Sequence, residues 1–184
     1  MRSIINSVVE ELDIVLANVS EDEAIQASNY LQSANRIFVW GEGRSGLMGK
    51  AFAMRLMHGG YEVYVIGETI TPSIEKNDLF VAISGSGSTG NILDLVKKAK
   101  KTGAKVIAVT TNGESETAQL SDQLLIIPAA TKYRRSGEPD TIQPLGNQFD
   151  QCVHLLLDAI IIHCLQEQEV DSHENMRNRH ANLE

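Results

Sequence analysis

The sequence reads Ile37-Phe38-Val39-Trp40-Gly41-Glu42-Gly43-Arg44-Ser45-Gly46, an apolar run followed directly by a glycine-rich turn. A short apolar run bounded by small residues predicts a buried β-strand. Residues 45–58 then carry helical spacing, so the segment predicts a strand, a tight turn and the N-terminus of a helix. Backbone N–H groups at such a helix start form a concave site at the positive end of the helix dipole, which favours an anion.

A second segment repeats this pattern later in the chain. Leu79–Ile83 is apolar, Ser84-Gly85-Ser86-Gly87-Ser88-Thr89 follows it, and a helical stretch covers residues 91–101. Hydroxyl groups beside backbone N–H groups suit the three oxygens of a terminal phosphate. Because two such turns occur in one chain, we predict a phosphorylated ligand.

The apolar periodicity of the remaining chain predicts alternating strands and helices. A helical hairpin is expected over residues 1–33, with Ser20 and Glu23 as a capping box. An α/β three-layer sandwich is expected to follow, with a five-stranded parallel sheet flanked by helices. In flavodoxin-like order 2-1-3-4-5, the first and third strands lie where ligands bind. The expected strands are 36–40, 61–66, 79–83, 105–110 and 123–127, and the long last helix is 146–168.

Size and charge limit the classes of protein that remain. A chain of 184 residues suits one domain over residues 1–184, and the net charge of -8 disfavours nucleic acid and membrane as partners. Acidic residues precede any long apolar run near the start, so we expect no signal peptide and a cytoplasmic protein. The apolar stretch 155–162 contains Asp158 and is too short for a membrane span, so we expect a buried helix.

The cysteine and histidine residues show no metal-binding pattern. Cys152 and Cys164 lie about 18 Å apart on one predicted helix, which is beyond disulfide reach, so both are expected to be core thiols. The five histidines are scattered, and His58 is expected to interact with the dipole at the end of its helix. We therefore expect neither a metal nor a cofactor.

The first turn also matches the dinucleotide fingerprint Gly41-x-Gly43-x-x-Gly46. Glu62 or Glu68 lies near the place of a ribose-binding acid. A dehydrogenase normally needs a second domain for its substrate, and a chain of 184 residues leaves no room for one. A phosphosugar therefore fits the two turns better than a dinucleotide.

Several segments together resemble the 6-phospho-3-hexuloisomerase family of sugar-isomerase (SIS) domains. Besides the two turns, the resemblance lies in Ala51–His58, Gly67–Pro72, Gln143–Gly146 and Arg179–Glu184. It covers nearly the whole chain. It implies a metal-independent isomerase of the ribulose monophosphate pathway of formaldehyde fixation. Such an enzyme interconverts D-arabino-hex-3-ulose 6-phosphate and D-fructose 6-phosphate through a cis-enediolate, and it assembles as a homotetramer.

The resemblance also implies the residues of the site. The expected phosphate-binding residues are Ser45, Ser84, Gly85, Ser86, Gly87, Ser88 and Thr89. The family's base is a glutamate after phenylalanine, and because this chain has Phe149-Asp150, the shorter Asp150 is the expected base. His180 is expected to polarise the carbonyl or shuttle protons, with the tail 169–184 reaching a neighbouring subunit. Glu68 and His180 are the alternatives to Asp150 as base, and Lys132–Arg135 are expected to border the site.

Two alternative functions stay open at this point. The substrate can be another sugar phosphate, such as arabinose 5-phosphate or sedoheptulose 7-phosphate. SIS domains also serve as non-catalytic phosphosugar sensors in regulators, and the aspartate at position 150 leaves that function open. The chain shows no DNA-binding segment, which disfavours a stand-alone transcriptional regulator.

Overall fold

The computed structural model describes residues 1–167 and 172–183. Five strands form one sheet in the order β2-β1-β3-β4-β5, and every neighbouring pair is parallel. The predicted strand order is therefore confirmed. The strands are β1 (Ile37–Gly41), β2 (Val63–Val65), β3 (Leu79–Ile83), β4 (Lys105–Thr110) and β5 (Gln123–Ile126).

The helices fall close to the predicted positions. The first two form the expected hairpin, and Ser20 Oγ accepts a hydrogen bond from the backbone N–H of Glu23. The seventh helix lies in the polar tail, where the sequence pattern predicted none. The helices in the described residues are α1 (Arg2–Leu16), α2 (Glu21–Ser33), α3 (Gly43–His58), α4 (Gly90–Thr102), α5 (Glu116–Leu120), α6 (Asn147–Glu167) and α7 (Ser172–Asn178).

Two apolar clusters cover the two faces of the sheet. On one face, Ile37 and Val39 pack with residues of α1, α2, α3 and α6. On the other face, Phe38 and Phe80 pack with α4. Alternate residues of β1 enter opposite clusters because successive side chains of a strand point to opposite faces. This arrangement is the expected three-layer α/β sandwich.

Helix α6 belongs to the core of the domain. Its 21 residues are long and apolar enough to cross a membrane, but more than half of its most apolar stretch is buried inside the domain. Cys152 and Cys164 are buried free thiols on this helix, as predicted. Burial raises the pKa of Cys152 to about 12, so this thiol stays protonated and unreactive.

Candidate active site

Both glycine-rich turns open on one cavity of about 480 Å³. The cavity lies at the carboxyl ends of β1 and β3, which are neighbours in the sheet, so it occupies the predicted switch point. Its volume lies within the usual range for small-molecule sites. Four parts of the chain line the cavity. They are the first turn (residues 42–45), the end of β3 with the second turn and the start of α4 (83–86, 89 and 92), a loop (131–133), and the segment around the start of α6 (144–147, 149 and 150).

The first turn brings α3 unusually close to β1. A Cβ atom at Gly46 would clash with the carbonyl oxygen of Gly41, so a residue with a side chain cannot occupy this position without moving the helix. Gly43 has a φ of +57°, in the left-handed region that favours glycine. The close approach places Arg44 and Ser45 on the cavity.

The second turn is folded by its own hydroxyl groups. Ser84 Oγ lies 3.1 Å from Thr89 Oγ1 and accepts a hydrogen bond from the Gly87 N–H at 3.1 Å. Ser88 donates its hydroxyl to Ser86 Oγ at 3.1 Å. This folding leaves Ser84, Ser86 and Thr89 on the cavity.

Three helices begin at the cavity: α3, α4 and α6. The N-cap residues of α3 and α4 are Glu42 and Thr89, and neither makes a side-chain hydrogen bond to its helix. Because the first N–H groups of an α-helix have no partner within the helix, those at α3 and α4 can bind a ligand. Three positive dipole ends at one cavity favour a negatively charged group such as phosphate.

Asp150 is the buried acidic group of this cavity, which the exposed Glu42 also lines. Its side chain is only 7% exposed, although it lies in the first turn of α6. Ser45 Oγ donates to Asp150 Oδ1 at 2.7 Å, and Arg44 Nε lies 3.7 Å from Oδ2. Burial raises the pKa of Asp150, and the Ser45 hydrogen bond and the Arg44 charge offset only part of that rise. A raised pKa makes the carboxylate a stronger base.

One wall of the cavity is a loop without helix or strand, residues 131–146, which we call the wall loop. Its start contributes Thr131, Lys132 and Tyr133 to the cavity, and its end contributes residues 144–146. The Lys132 ammonium and the Arg135 guanidinium lie 5.1 Å and 5.0 Å from the centre of the Tyr133 ring. Of the predicted basic cluster, Lys132 therefore borders the site.

The residues predicted to bind phosphate divide into two groups. Gly87 and Ser88 are not among the residues that line the cavity. The Gly87 N–H is used within the turn by Ser84, and the Ser88 N–H donates to Ser86 Oγ at 3.4 Å. The predicted residues that do line the cavity are Ser45, Ser84, Gly85, Ser86 and Thr89.

His180 lies at the opposite end of α3 from the cavity. Its ring stacks on that of His58, with 5.3 Å between the ring centres. His58 follows Ser45 by 13 positions on α3, which is about 20 Å along the helix axis. His180 therefore does not reach the cavity of its own chain. Residue 168 of the predicted last helix and residues 169–171 and 184 of the predicted tail lie outside the described residues.

The expectation for His58 needs correction. The side chain is buried, and burial lowers its pKa, with smaller contributions from the charges of His180 and Arg55. A lowered pKa favours the neutral ring, whereas a partner of the helix dipole has to be charged. His58 is thus a packed core residue.

Two features of the site were absent from the sequence-based prediction. Arg44 approaches Asp150, and the only signal for it was its position beside the predicted Ser45. Residues 144–146 at the far end of the wall loop also line the cavity, whereas the prediction placed only Lys132–Arg135 at its border; the signal was a polar connection longer than most, which is typical of functional loops. Among residues 1–167 and 172–183, no group of three His, Cys, Asp or Glu side chains is arranged to hold a metal ion.

Comparison with known proteins agrees with this geometry. Residues 30–142 match the SIS domain. The chain is 40% identical over 177 residues to 3-hexulose-6-phosphate isomerase of Bacillus subtilis, covering 96% of this chain and 95% of that protein. It is 37% identical over 191 residues to the enzyme of the same name from Methanocaldococcus jannaschii, covering 96% and 99%.

A solved structure is similar as well. It is a protein of Methanococcus jannaschii for which a molecular function of 3-hexulose-6-phosphate isomerase was inferred, and it matches with a TM-score of 0.84. Its sequence is 30% identical to this chain, and the match covers 98% of both chains. The chain therefore belongs to the SIS-domain family and, within it, to the group of the 3-hexulose-6-phosphate isomerases.

Proposed function

We propose that this chain interconverts D-arabino-hex-3-ulose 6-phosphate and D-fructose 6-phosphate through a cis-enediolate. The observation that carries the proposal is the position of Asp150. This buried carboxylate, with its raised pKa, lies in the same cavity as three helix N-termini and a cluster of hydroxyl groups. The cavity thus offers both an anion-binding region and a base, which is what an isomerase of sugar phosphates requires.

The phosphate is bound at the two turns. The N–H groups at the starts of α3 and α4 donate to it, together with the hydroxyl groups of Ser84, Ser86 and Thr89. A phosphate held there places the sugar chain toward Asp150 and the wall loop, which complete the lining of the cavity. Lys132 supplies a further positive charge at the wall.

Asp150 then moves the proton. Because Ser45 donates to Oδ1, we assign Oδ2 as the atom that accepts the proton from C2 of the 3-hexulose. The electron pair of the C2–H bond forms the C2–C3 double bond of the enediolate. The π pair of the C3 carbonyl moves onto O3, and O3 takes the proton that the C2 hydroxyl gives up. When Asp150 returns its proton to C3, the electron pair on O2 forms the C2 carbonyl, which gives fructose 6-phosphate. The guanidinium of Arg44, next to Oδ2, stabilises the negative charge of the enediolate.

Ser45 couples the two halves of the site. Its hydroxyl has one proton, so it can donate either to Asp150, as in this structure, or to a bound phosphate. When the phosphate takes the hydrogen bond, Asp150 loses a donor that lowers its pKa and gains a negative neighbour. Both changes raise the pKa further, so substrate binding strengthens the base.

A direct assay tests the proposed function. Purified protein is incubated with D-arabino-hex-3-ulose 6-phosphate, and the formation of fructose 6-phosphate is followed together with deuterium uptake at the exchanging carbon. Arabinose 5-phosphate and sedoheptulose 7-phosphate are assayed in parallel. Turnover of one of these alone would reassign the substrate. Binding of phosphosugars without any turnover would instead favour the non-catalytic sensor.

We further propose a cytoplasmic homotetramer of single-domain chains, without nucleic acid or membrane as partner. The net charge of -8 supports the proposed absence of nucleic acid and membrane partners. Because His180 lies at the far end of α3 in its own chain, any role in catalysis has to be played in a neighbouring subunit. Light scattering measures the oligomer. Removal of residues 180–184 is expected to lower turnover with little change in melting temperature, and full activity after removal would exclude His180 from the reaction.

A further inference from the structure

The two ends of the wall loop are tied together by Arg134. Its Nη1 donates to the carbonyl oxygen of Thr131 at 2.7 Å, and its Nη2 donates to that of Gln143 at 2.5 Å. Arg134 has a φ of +46°, which is uncommon for a residue with a side chain. The guanidinium of this residue thus bridges both ends of the loop.

The N-terminal hairpin also holds the wall loop, through hydrogen bonds to Glu11. Glu11 lies on α1, and its carboxylate accepts three hydrogen bonds from consecutive residues of the wall loop. The donors are Thr141 Oγ1 at 2.5 Å, the Ile142 N–H at 2.8 Å and Gln143 Nε2 at 3.0 Å. One side chain of α1 thus holds the end of the loop that leads into the cavity.

Gln143 connects Glu11 to α6 through its side-chain hydrogen bonds. Its side chain is 3% exposed, and its Oε1 accepts a hydrogen bond from Asn147 Nδ2 at 2.7 Å. Asn147 lines the cavity and precedes Asp150 by one helical turn. A continuous set of hydrogen bonds therefore leads from Glu11 to the helix turn that carries the proposed base.

Glu11 is charged when it does this. Burial alone opposes its ionisation, but the hydrogen bonds from Thr141, Ile142 and Gln143 and the charge of Arg134 outweigh burial, so the pKa of Glu11 is lowered. Hydrogen bonds to an ionised acceptor are stronger than those between neutral groups. The hydrogen bonds are thus at full strength at neutral pH.

We propose that Glu11 is a positioning residue, which holds the wall loop and the first turn of α6 in the geometry that the substrate needs. It acts through Gln143, Arg134 and Asn147 and does not line the cavity itself. Its effect on catalysis rests on the proposed function, whereas the fastening of the loop does not. The second turn, with Ser84 and Ser86, is outside this set of hydrogen bonds and should keep its shape when Glu11 is changed.

The test compares Glu11→Ala with Glu10→Ala, a matched control at an exposed position of the same helix. In Glu11→Ala, amide hydrogen exchange across residues 131–146 should become faster. KM for the sugar phosphate should rise and kcat should fall, with a loss of about tenfold or more in kcat/KM, because small misplacements in a site are costly. The affinity for inorganic phosphate should stay within twofold. Glu10→Ala should match the parent in all four measurements.

Two further variants keep the proposal testable if Glu11→Ala fails to fold. Glu11→Gln keeps the size and one acceptor oxygen, so it should give an intermediate effect. Gln143→Ala should resemble Glu11→Ala, and combining Gln143→Ala with Glu11→Gln should add little, since residues of one network are not additive.

Unchanged exchange over residues 131–146 in the Glu11 variants would overturn the fastening, whatever the kinetics. Faster exchange with kinetics equal to those of Glu10→Ala would overturn the positioning role. A parent protein that turns over no sugar phosphate would refute the proposed function instead, and the exchange data alone would then decide on the fastening.

Discussion

The starts of α3 and α4 at the cavity are built differently from those of α2 and α5, while α1, which begins after Met1, also lacks a side-chain cap. Helices α2 and α5 do not line the cavity, although Ser115 at the start of α5 packs against Gly87 of the second turn. Each is capped by a serine: Ser20 Oγ accepts from the Glu23 N–H, and Ser115 Oγ accepts from the Ala118 N–H. Such a cap is worth about 1 kcal/mol of stability. At each of these two helix starts, a serine side chain thus accepts the hydrogen bond of a backbone N–H group that has no partner within the helix.

Helices α3 and α4 begin at the cavity and have no side-chain cap. Thr89, the N-cap of α4, is of a type that caps well, yet its hydroxyl lies 3.1 Å from Ser84 Oγ instead. The local stability that a cap supplies is given up where the N–H groups face a ligand. Serine thus stabilises the fold at one set of helix starts, whereas at the other the serine and threonine hydroxyl groups are the ones that we propose bind substrate.

The largest effect is expected at α6, the third helix that begins at the cavity. Asp150→Asn should abolish exchange of the C2 proton with deuterated solvent and lower kcat by about a hundredfold or more, since it removes the general base. Asp150→Glu should keep activity, because the longer side chain restores the reach of the family's glutamate. Proton exchange measured by NMR checks both.

If Asp150→Asn stays within a few-fold of the parent, Asp150 is only a favourable charge at a helix N-terminus. Glu68 and His180 are then the next candidates for the base. Glu68 pairs with Lys50 at 2.7 Å, and both side chains are about half exposed, so it lacks the burial that strengthens Asp150.

Removing hydroxyl groups at the uncapped helix starts should weaken binding. Ser84→Ala and Ser86→Ala are each expected to cost about 1–3 kcal/mol of affinity for the sugar phosphate, because each removes a donor to a charged acceptor. Titration calorimetry with the substrate or with inorganic phosphate measures the loss. Unchanged affinity in both variants would place the phosphate elsewhere in the cavity.

Removing the serine caps of α2 and α5 should lower stability rather than affinity for the sugar phosphate. Ser20→Ala and Ser115→Ala are each expected to lower the free energy of unfolding by about 1 kcal/mol, and Ser20→Ala should leave kcat and KM as in the parent. Ser115 packs against Gly87 of the second turn, so Ser115→Ala tests stability alone. Denaturant unfolding and steady-state kinetics on the same preparations give both values. A rise in KM without loss of stability in Ser20→Ala would contradict the division between the two sets of serines.

The smallest effect concerns stability at neutral pH. The pKa of Asp150 is raised in the folded chain, so its contribution to stability is complete below the ordinary pKa of aspartate and is lost as the pH rises through the raised value. Asp150→Asn is therefore expected to melt at a slightly higher temperature than the parent at pH 7, with the difference disappearing in acid. Thermal unfolding at a series of pH values checks this, and a lower melting temperature at pH 7 would show that the carboxylate stabilises the fold.

The central part of the fold was predictable because its signals are local. Apolar runs such as Leu79–Ile83 predict buried strands, and glycine-rich turns directly after them predict strand-to-helix junctions. Given these elements, a parallel sheet with crossover helices is nearly the only arrangement that buries both faces. The strand order was taken from flavodoxin-like sheets rather than from this pattern, and the place of the cavity followed from that order.

The tail was predicted less well. Helix α7 lies in a polar segment for which the sequence pattern predicted no helix, and it contacts α3 and packs Met176 against the core. His180 packs on His58, more than a hundred positions away in the chain, so no local pattern indicates it. Long-range contacts of this kind leave no trace in spacing or composition.

The sequence by itself determined the α/β fold, the two glycine-rich turns and the residues to examine in them, because each depends on neighbours within one strand, turn or helix. Only the tertiary structure decided how these parts cooperate. It brought Ser45 to Asp150 and Glu11 to residues 141–143, pairs that are more than a hundred positions apart. Burial of Asp150, which raises its pKa, likewise results from packing, and packing depends on the whole chain.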